Sequence, residues 1–277
     1  MSDDNKITPA AQAIEGIVKA VPVYQDVLQP AARQIGLGLE TLTKTIHIAL
    51  APVSALVWGY EKIGDFLSSK LTDKLKNVPA ERIQTPSLLV AGPIVESLKF
   101  AANEETLRDL YANLLATSID SATAQNAHPG FVQIIKNMSP DEAKIIKYLI
   151  TSGDQPLIDI KINVQSKGGF RILRRNFSHI GKNVGCDFNN LIPNYLDNLC
   201  RLGLLEIPAG RYIIAEGIYE KLEEDQEITS IKQQILVEAN ANPADGLSVG
   251  FDRKKIELTD LGKQFCFACV IDKSLQT

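Results

Sequence analysis

Two groups of residues could do chemistry by type and spacing. The first is basic. From Lys161 to Lys182 there are six lysines and arginines and no acid, with Gly168-Gly169 and Phe170 among them. Such a strip can contact phosphates, and Lys167, Arg171, Arg174, Arg175 and Lys182 are the candidate contacts. The plainer alternative is a solvated strand or loop face whose charges simply stay wet. The second group is Cys266-x-x-Cys269. Residues three apart share a helix face, but structural zinc needs four ligands, and no second CxxC or HxxxH accompanies this pair. Flanked by Phe265, Phe267, Ala268 and Val270, these cysteines are expected to be buried thiols.

Other candidates are weaker. His47, His128 and His179 have no evident nucleophile partner, and His128 before Pro129 suits a turn. The chain lacks G-x-S-x-G, a Walker A loop and G-x-G-x-x-G. Gly36-Leu37-Gly38 sits in a helical pattern without a preceding strand, so it is not a phosphate loop. Glu216, Glu220, Glu223 and Glu224 suit a solvated helix face. No catalytic residue, cofactor or metal is expected, and the chain reads as a non-enzyme.

The 277 residues suggest two domains, with 45% hydrophobic and 22% charged residues in the globular range. A formal net charge of −4 argues against a general nucleic-acid coat or a strongly basic membrane binder. MSDDNKITPAAQ lacks a basic region followed by an apolar one, so we expect no signal peptide and a cytoplasmic protein. Cys186, Cys200, Cys266 and Cys269 suggest no disulfide framework.

The elements that would position these residues centre on Asn103–Ile150. Asn103 suits a helix cap, with Glu104 and Glu105 in the first turn. Leu107, Leu110, Tyr111, Leu114, Leu115 and Ile119 recur at helical spacing, while Arg108, Asp109 and Asn113 fall off that face. His128-Pro129 breaks the chain before Phe131, Ile134 and Ile135. Ser139-Pro140-Asp141-Glu142 is a capping box with proline at the first helical position, ahead of Ile145, Ile146, Leu149 and Ile150. Upstream, Thr45–Tyr60 carries no Asp, Glu, Lys or Arg. It is shorter than the roughly 20 residues that span a bilayer. One reading is a buried helix kinked at Pro52. The other is a helix that meets lipid or a partner conditionally, through Ile46, Ile48, Leu50, Leu56, Val57, Trp58 and Tyr60. Phe66, Leu67, Leu71 and Leu75 continue an amphipathic helix with Asp65, Lys70, Asp73, Lys74 and Lys76 on its wet side. Asn77 to Pro86 reads as a linker. SLLVAGPIVESLKF should form a helix with Pro93 near its start and Ile94, Val95, Leu98 and Phe100 buried.

Composition shifts at Gly153-Asp154-Gln155-Pro156. LIDIKINV suits a strand. A helix from about Leu191 to Arg201 and a strand in RLGLLEI follow, then helices around Ala215–Glu224 and Thr229–Asn240. KKIELTDLGKQFCFAC should be a strand and a helix capped by Thr259. YLDNLCRLGLLEI paired with IELTDLGKQF resembles a winged helix, interrupted by an insertion at about 212–250. The presumed recognition helix carries Asp187 and Asp197 with only Arg201 to offer DNA, so protein contacts or packing are the expected use.

LYANLLATSID followed by AHPGFVQIIKNMSPDEAKI, with VWGYEKIGDFL and KLKNVPAERIQTP upstream, resembles the Abi-alpha (abortive infection alpha) family of bacterial proteins. The resemblance covers roughly Ile7 to Leu149, and more loosely the end of the chain, and brings no catalytic residue with it. It implies a phage-defence protein, here read as a non-enzymatic effector or sensor acting through protein or membrane interactions. Its partners would be a protein or phage trigger, with homo-oligomers and conditional membrane contact as further expectations. The alternative is a nucleic-acid-binding winged-helix regulator. The expected architecture is a mostly α N-terminal domain plus a small α+β winged-helix-like C-terminal domain. Its segments are 1–78, 86–152 and 153–277.

Overall fold

The computed structural model describes residues 60–101 and 104–275. Residues 45–59 of the charge-free run, including Ile46, Ile48, Leu50, Leu56, Val57 and Trp58, lie outside the described residues, as do His47 and the Asn103 cap. The chain is a helical part followed by a small α+β part, and it falls into two compact units. One holds the described residues up to Asn137 with the segment from Phe267; the other is Met138–Cys266. The sequence reading drew its boundary at Ser152.

The first unit is built on α1 (Tyr60–Leu75), α2 (Leu88–Leu98), α3 (Glu105–Ile119) and α4 (Gly130–Lys136). Ile63, Leu67, Leu71 and Leu75 recur every fourth residue of α1, and all are buried. Every residue of α3 from Leu110 onward is buried, so this helix runs through the middle of the unit. Asn113 was placed off its apolar face, yet it is buried and donates through Nδ2 to the Cys269 carbonyl at 2.9 Å. Thr117, one turn on, donates to the Ala268 carbonyl at 3.0 Å. Those carbonyls belong to a π-helical turn, Cys266–Val270, where the ordinary helical pattern of bonds is lost.

Two ion pairs continue this attachment of the C-terminal segment. Lys74, expected on the wet side of α1, is buried and reaches Asp272 at 2.9 Å. Lys273, 1% exposed, pairs with the fully buried Asp120 at 2.8 Å and donates to Thr123 Oγ1. Asp120 also accepts a fork from Arg82, Nε to Oδ1 at 2.8 Å and Nη2 to Oδ2 at 2.5 Å. Burial alone would raise its carboxyl, but Arg82 and Lys273 outweigh that and hold it below the usual carboxylate range. The Asn77–Pro86 stretch is thus docked rather than loose: Ile83 bridges Asp120, and Gln84 N–H donates to the Ile119 carbonyl.

Two further expectations are corrected in α2. Pro93 lies in the middle of the helix rather than at its start, and Ser97 Oγ bonds the Pro93 carbonyl. Phe100 is exposed, because α2 ends at Leu98 and the helical phase that would bury it ends there too. His128 fills its expected turn role: its Nδ1 accepts from Gly130 N–H at 3.0 Å, where a side-chain carbon on Gly130 would collide with the ring.

The second unit opens with α5 (Pro140–Ser152), which carries the complete capping box between Ser139 and Glu142. β1 (Gln155–Val164) and β2 (Gly169–Phe177) form a hairpin, turned through Gly168 at a positive φ. Short α6 (Ile180–Val184), α7 (Ile192–Arg201), two-residue β3 (Leu205–Glu206), α8 (Glu220–Glu223) and α9 (Gln226–Ala241) follow. β4 (Leu247–Leu258) and α10 (Asp260–Phe265), capped by Thr259, complete the unit. The sheet order is β2-β1-β4-β3. β3 does pair with the end of β4, Leu205 opposite Leu258, but the dominant ladder is ten residues of β1 against β4. β3 is only two residues long. Within the insertion, the expected helix at 215–224 shrinks to one turn, and its neighbour lengthens to Gln226–Ala241. Ile228 and Ile231 of α9 cover Ile158, Ile160, Phe177, Val249 and Phe251 on one face of the sheet.

Candidate functional site

The basic segment is strand β2 with the turns at its ends. In an antiparallel ladder opposed residues share a face. Arg171 is opposite Ile162 and Arg174 opposite Ile160, so both arginines lie on the face that α9 covers. Phe170 is opposite Asn163 and Ile172 opposite Lys161, on the other face. The register slips between Ile158 and Lys161, which places bulges in β2. Asn176, held at φ 51°, sits in one of them, and its N–H donates to Asp159 at 2.9 Å. Lys254 joins this knot, 2.6 Å from Asp159 and 2.7 Å from Asn176 Oδ1.

The acids of one helix answer the basic strip. Arg174 pairs with Glu227 and lies over the Phe177 ring. Arg171 comes to 4.0 Å of Glu238. Lys182 and His179 reach Asp225, the N-cap of α9, at 2.8 and 2.9 Å. Burial alone would raise the Asp225 carboxyl, but the bonds from Lys182 and His179 outweigh it and keep it low. Lys167 and Arg175 are exposed and make no ion pair among the described residues. Sequence reasoning found the bases of this surface and missed its acids, which lie 43 to 67 residues further along the chain. The only signal was an acid at the N-cap of α9, Asp225, and another in its first turn, Glu227.

Other polar clusters hold structure together. Glu220 and Glu223, expected to be solvated, fork Arg253, which stacks on Tyr219 at 5.3 Å. Their bonds raise the Arg253 guanidinium above its ordinary value. In α7, Asp197 takes a bond from Asn176, Asn198 donates to Glu142 of α5 at 2.7 Å, and Arg201 folds back on Asn198. Asp197, Asn198 and Arg201 are thus engaged within the unit. Burial pushes the Cys266 thiol up to about 12 and those of Cys186 and Cys200 to about 11. Among the described residues no group of three or more His, Cys, Asp or Glu could hold a metal. Likewise, no described helix is long and apolar enough to cross a membrane. Tyr60 begins α1, and the rest of the proposed membrane or partner helix lies outside the described residues.

Comparison with known proteins adds three findings. No curated protein matches the chain. A solved structure of an uncharacterized protein from the hydrocarbon-degrading marine bacterium Alcanivorax borkumensis is similar at 20% identity. It covers 52% of this chain and 92% of its own at a TM-score of 0.32, which supports no argument about fold or function. The sequence model for abortive infection alpha, by contrast, matches residues 59–269, from the start of α1 through the sheet to the π turn. That span takes in the organising helices, the basic strand and the acidic helix that answers it, and the chain belongs to the abortive infection alpha family.

Proposed function

We propose that this chain serves in abortive infection, in which an infected bacterial cell arrests or dies before phage matures, as its family suggests, and that it does so as a non-enzymatic, cytoplasmic effector or sensor acting through protein contacts. One observation carries the choice of protein over nucleic acid: Asp225, Glu227 and Glu238 of α9 lie beside Lys182, Arg174 and Arg171. Phosphates approaching the strip would meet those carboxylates and would have to displace them. Two observations support the non-enzymatic part. Burial pushes up the Cys186, Cys200 and Cys266 thiols, away from the thiolate form a nucleophile needs. The low-lying carboxyls of Asp120 and Asp225 already hold structural cations.

Cells expressing the full chain should test the role directly. We expect fewer plaques together with death or arrest of infected cells at high multiplicity, and survival of the culture at low multiplicity. Equal plaque counts with and without the chain, over a broad phage panel, would overturn the reading.

A further inference from the structure

Among the described residues β2 is an edge of the sheet: its one strand neighbour there is β1, and the other side of the backbone faces no described strand from Gly169 to Arg175. Beyond that, α7 closes in, with Asp197 3.4 Å from Asn176 Nδ2. Exposed edges normally carry charges and bulges that discourage pairing with another chain. β2 has both, yet it also keeps Phe170 59%, Ile172 39% and Leu173 47% exposed. The apolar pair Phe170 and Ile172 sits on the face away from α9, bordered by Lys161, whose ammonium lies 4.6 Å from the Phe170 ring centre. Arg171 and Arg174 point to the α9 face, and the Arg171 side chain is 63% exposed despite Glu238.

From this pattern we infer that the edge of β2, Gly169–Arg175, is a docking site for an extended protein segment that adds a strand to the sheet. The segment would alternate apolar and acidic residues. Backbone bonds along an open edge give affinity, and alternate side chains give specificity. Here the partner's residues on one face would cover Phe170 and Ile172. Those on the other would meet the outer part of Arg171, while Arg174 stays with Glu227 and the exposed Arg175 adds positive charge at the end. A second copy of this strand fits badly, because β2 against β2 brings two sets of arginines together, and like charges across a ladder repel. The exposed arginines that repel a second copy of the edge attract a strand of opposite charge. The inference rests on the protein-contact reading above and names its partner class.

The test is fluorescence anisotropy with the full-length chain and labelled seven-residue peptides. One alternates valine and glutamate, one alternates valine and lysine, and a third is the glutamate peptide N-methylated at alternate residues. We expect saturable binding of the first alone, weakened by salt and by about tenfold in Arg171→Glu/Arg175→Glu, both exposed positions where reversal changes attraction to repulsion. Phe170→Ser should also weaken binding while circular dichroism stays native. No binding of the glutamate peptide, equal binding of the lysine peptide, or unchanged affinity in both variants would overturn the inference. Plaque assays on the same variants separate the two readings. Protection that persists while no peptide binds sinks the edge and leaves the defence role; peptide binding without any protection does the reverse.

Discussion

Removing the Asp120 carboxylate should be among the most damaging single changes in the first unit. In Asp120→Ala the Lys273 ammonium, 1% exposed, keeps only the Thr123 hydroxyl at 2.8 Å, and Arg82 loses both arms of its fork. Breaking a buried pair by deleting one partner leaves a charge out of water without compensation, a cost of about 3–5 kcal/mol. Lys273→Met is milder, about 1–2 kcal/mol, because Asp120 retains the Arg82 fork and the N–H of Ala122. The double variant should cost less than the sum by about 1–3 kcal/mol, since no orphan ammonium remains. Asp120 is held below the usual carboxylate range, so its contribution is full above about pH 4 and is lost as pH falls through the lower folded value. Asp120→Asn should remove that part of the acid sensitivity. Urea melts are best joined to hydrogen exchange of α3 amides, which reports the first unit by itself. Strict additivity, or a loss under about 1 kcal/mol for Asp120→Ala, would refute this account of the C-terminal attachment.

Three other outcomes follow from the same geometry. Burial would raise Asp272, but Lys74 and Ser274 hold it at about 2, so wild-type stability should decline between about pH 4 and pH 2. Asp272→Asn should decline less over that window in acid titrations followed by circular dichroism. Cys266, buried and pushed up to about 12, should stay silent to Ellman's reagent at pH 8 and react only in denaturant, where the full count of four thiols should appear. Ile228→Ala, at the contact of α9 with the sheet, should cost about 2–5 kcal/mol in urea melts, and a near-zero value would mean α9 is not anchored there.

Local grammar was legible in the chain. The Ser139 capping box, the LIDIKINV strand, the Thr259 cap and the His128 turn all follow from neighbours within a few positions. What the sequence concealed depends on distance along the chain. Asn113 and Lys74 look like surface residues until the C-terminal segment supplies the Cys269 carbonyl and Asp272 as their partners. The basic strip was visible as a run of charge. Its meaning changed because α9, more than 40 residues later, lies across it with acids in register. Phe100 was misplaced for a simpler reason, since helical phase predicts burial only as far as the helix continues. The likeness to a winged helix rested on two strand phrases that do pair, but the β1–β4 ladder, not that short pairing, organises the unit.

We propose that the acids of α9 turn the basic strand away from nucleic acid and toward protein. Salt-dependent binding of labelled duplex DNA and single-stranded RNA tests it most directly, with wild type compared to Glu227→Gln/Glu238→Gln. The account predicts no saturable binding by wild type at low salt, and gained, salt-sensitive binding once the two carboxylates are neutralised, because each phosphate contact then releases counterions. Tight wild-type binding whose logarithm falls steeply with the logarithm of salt, unchanged by the substitutions, would contradict it.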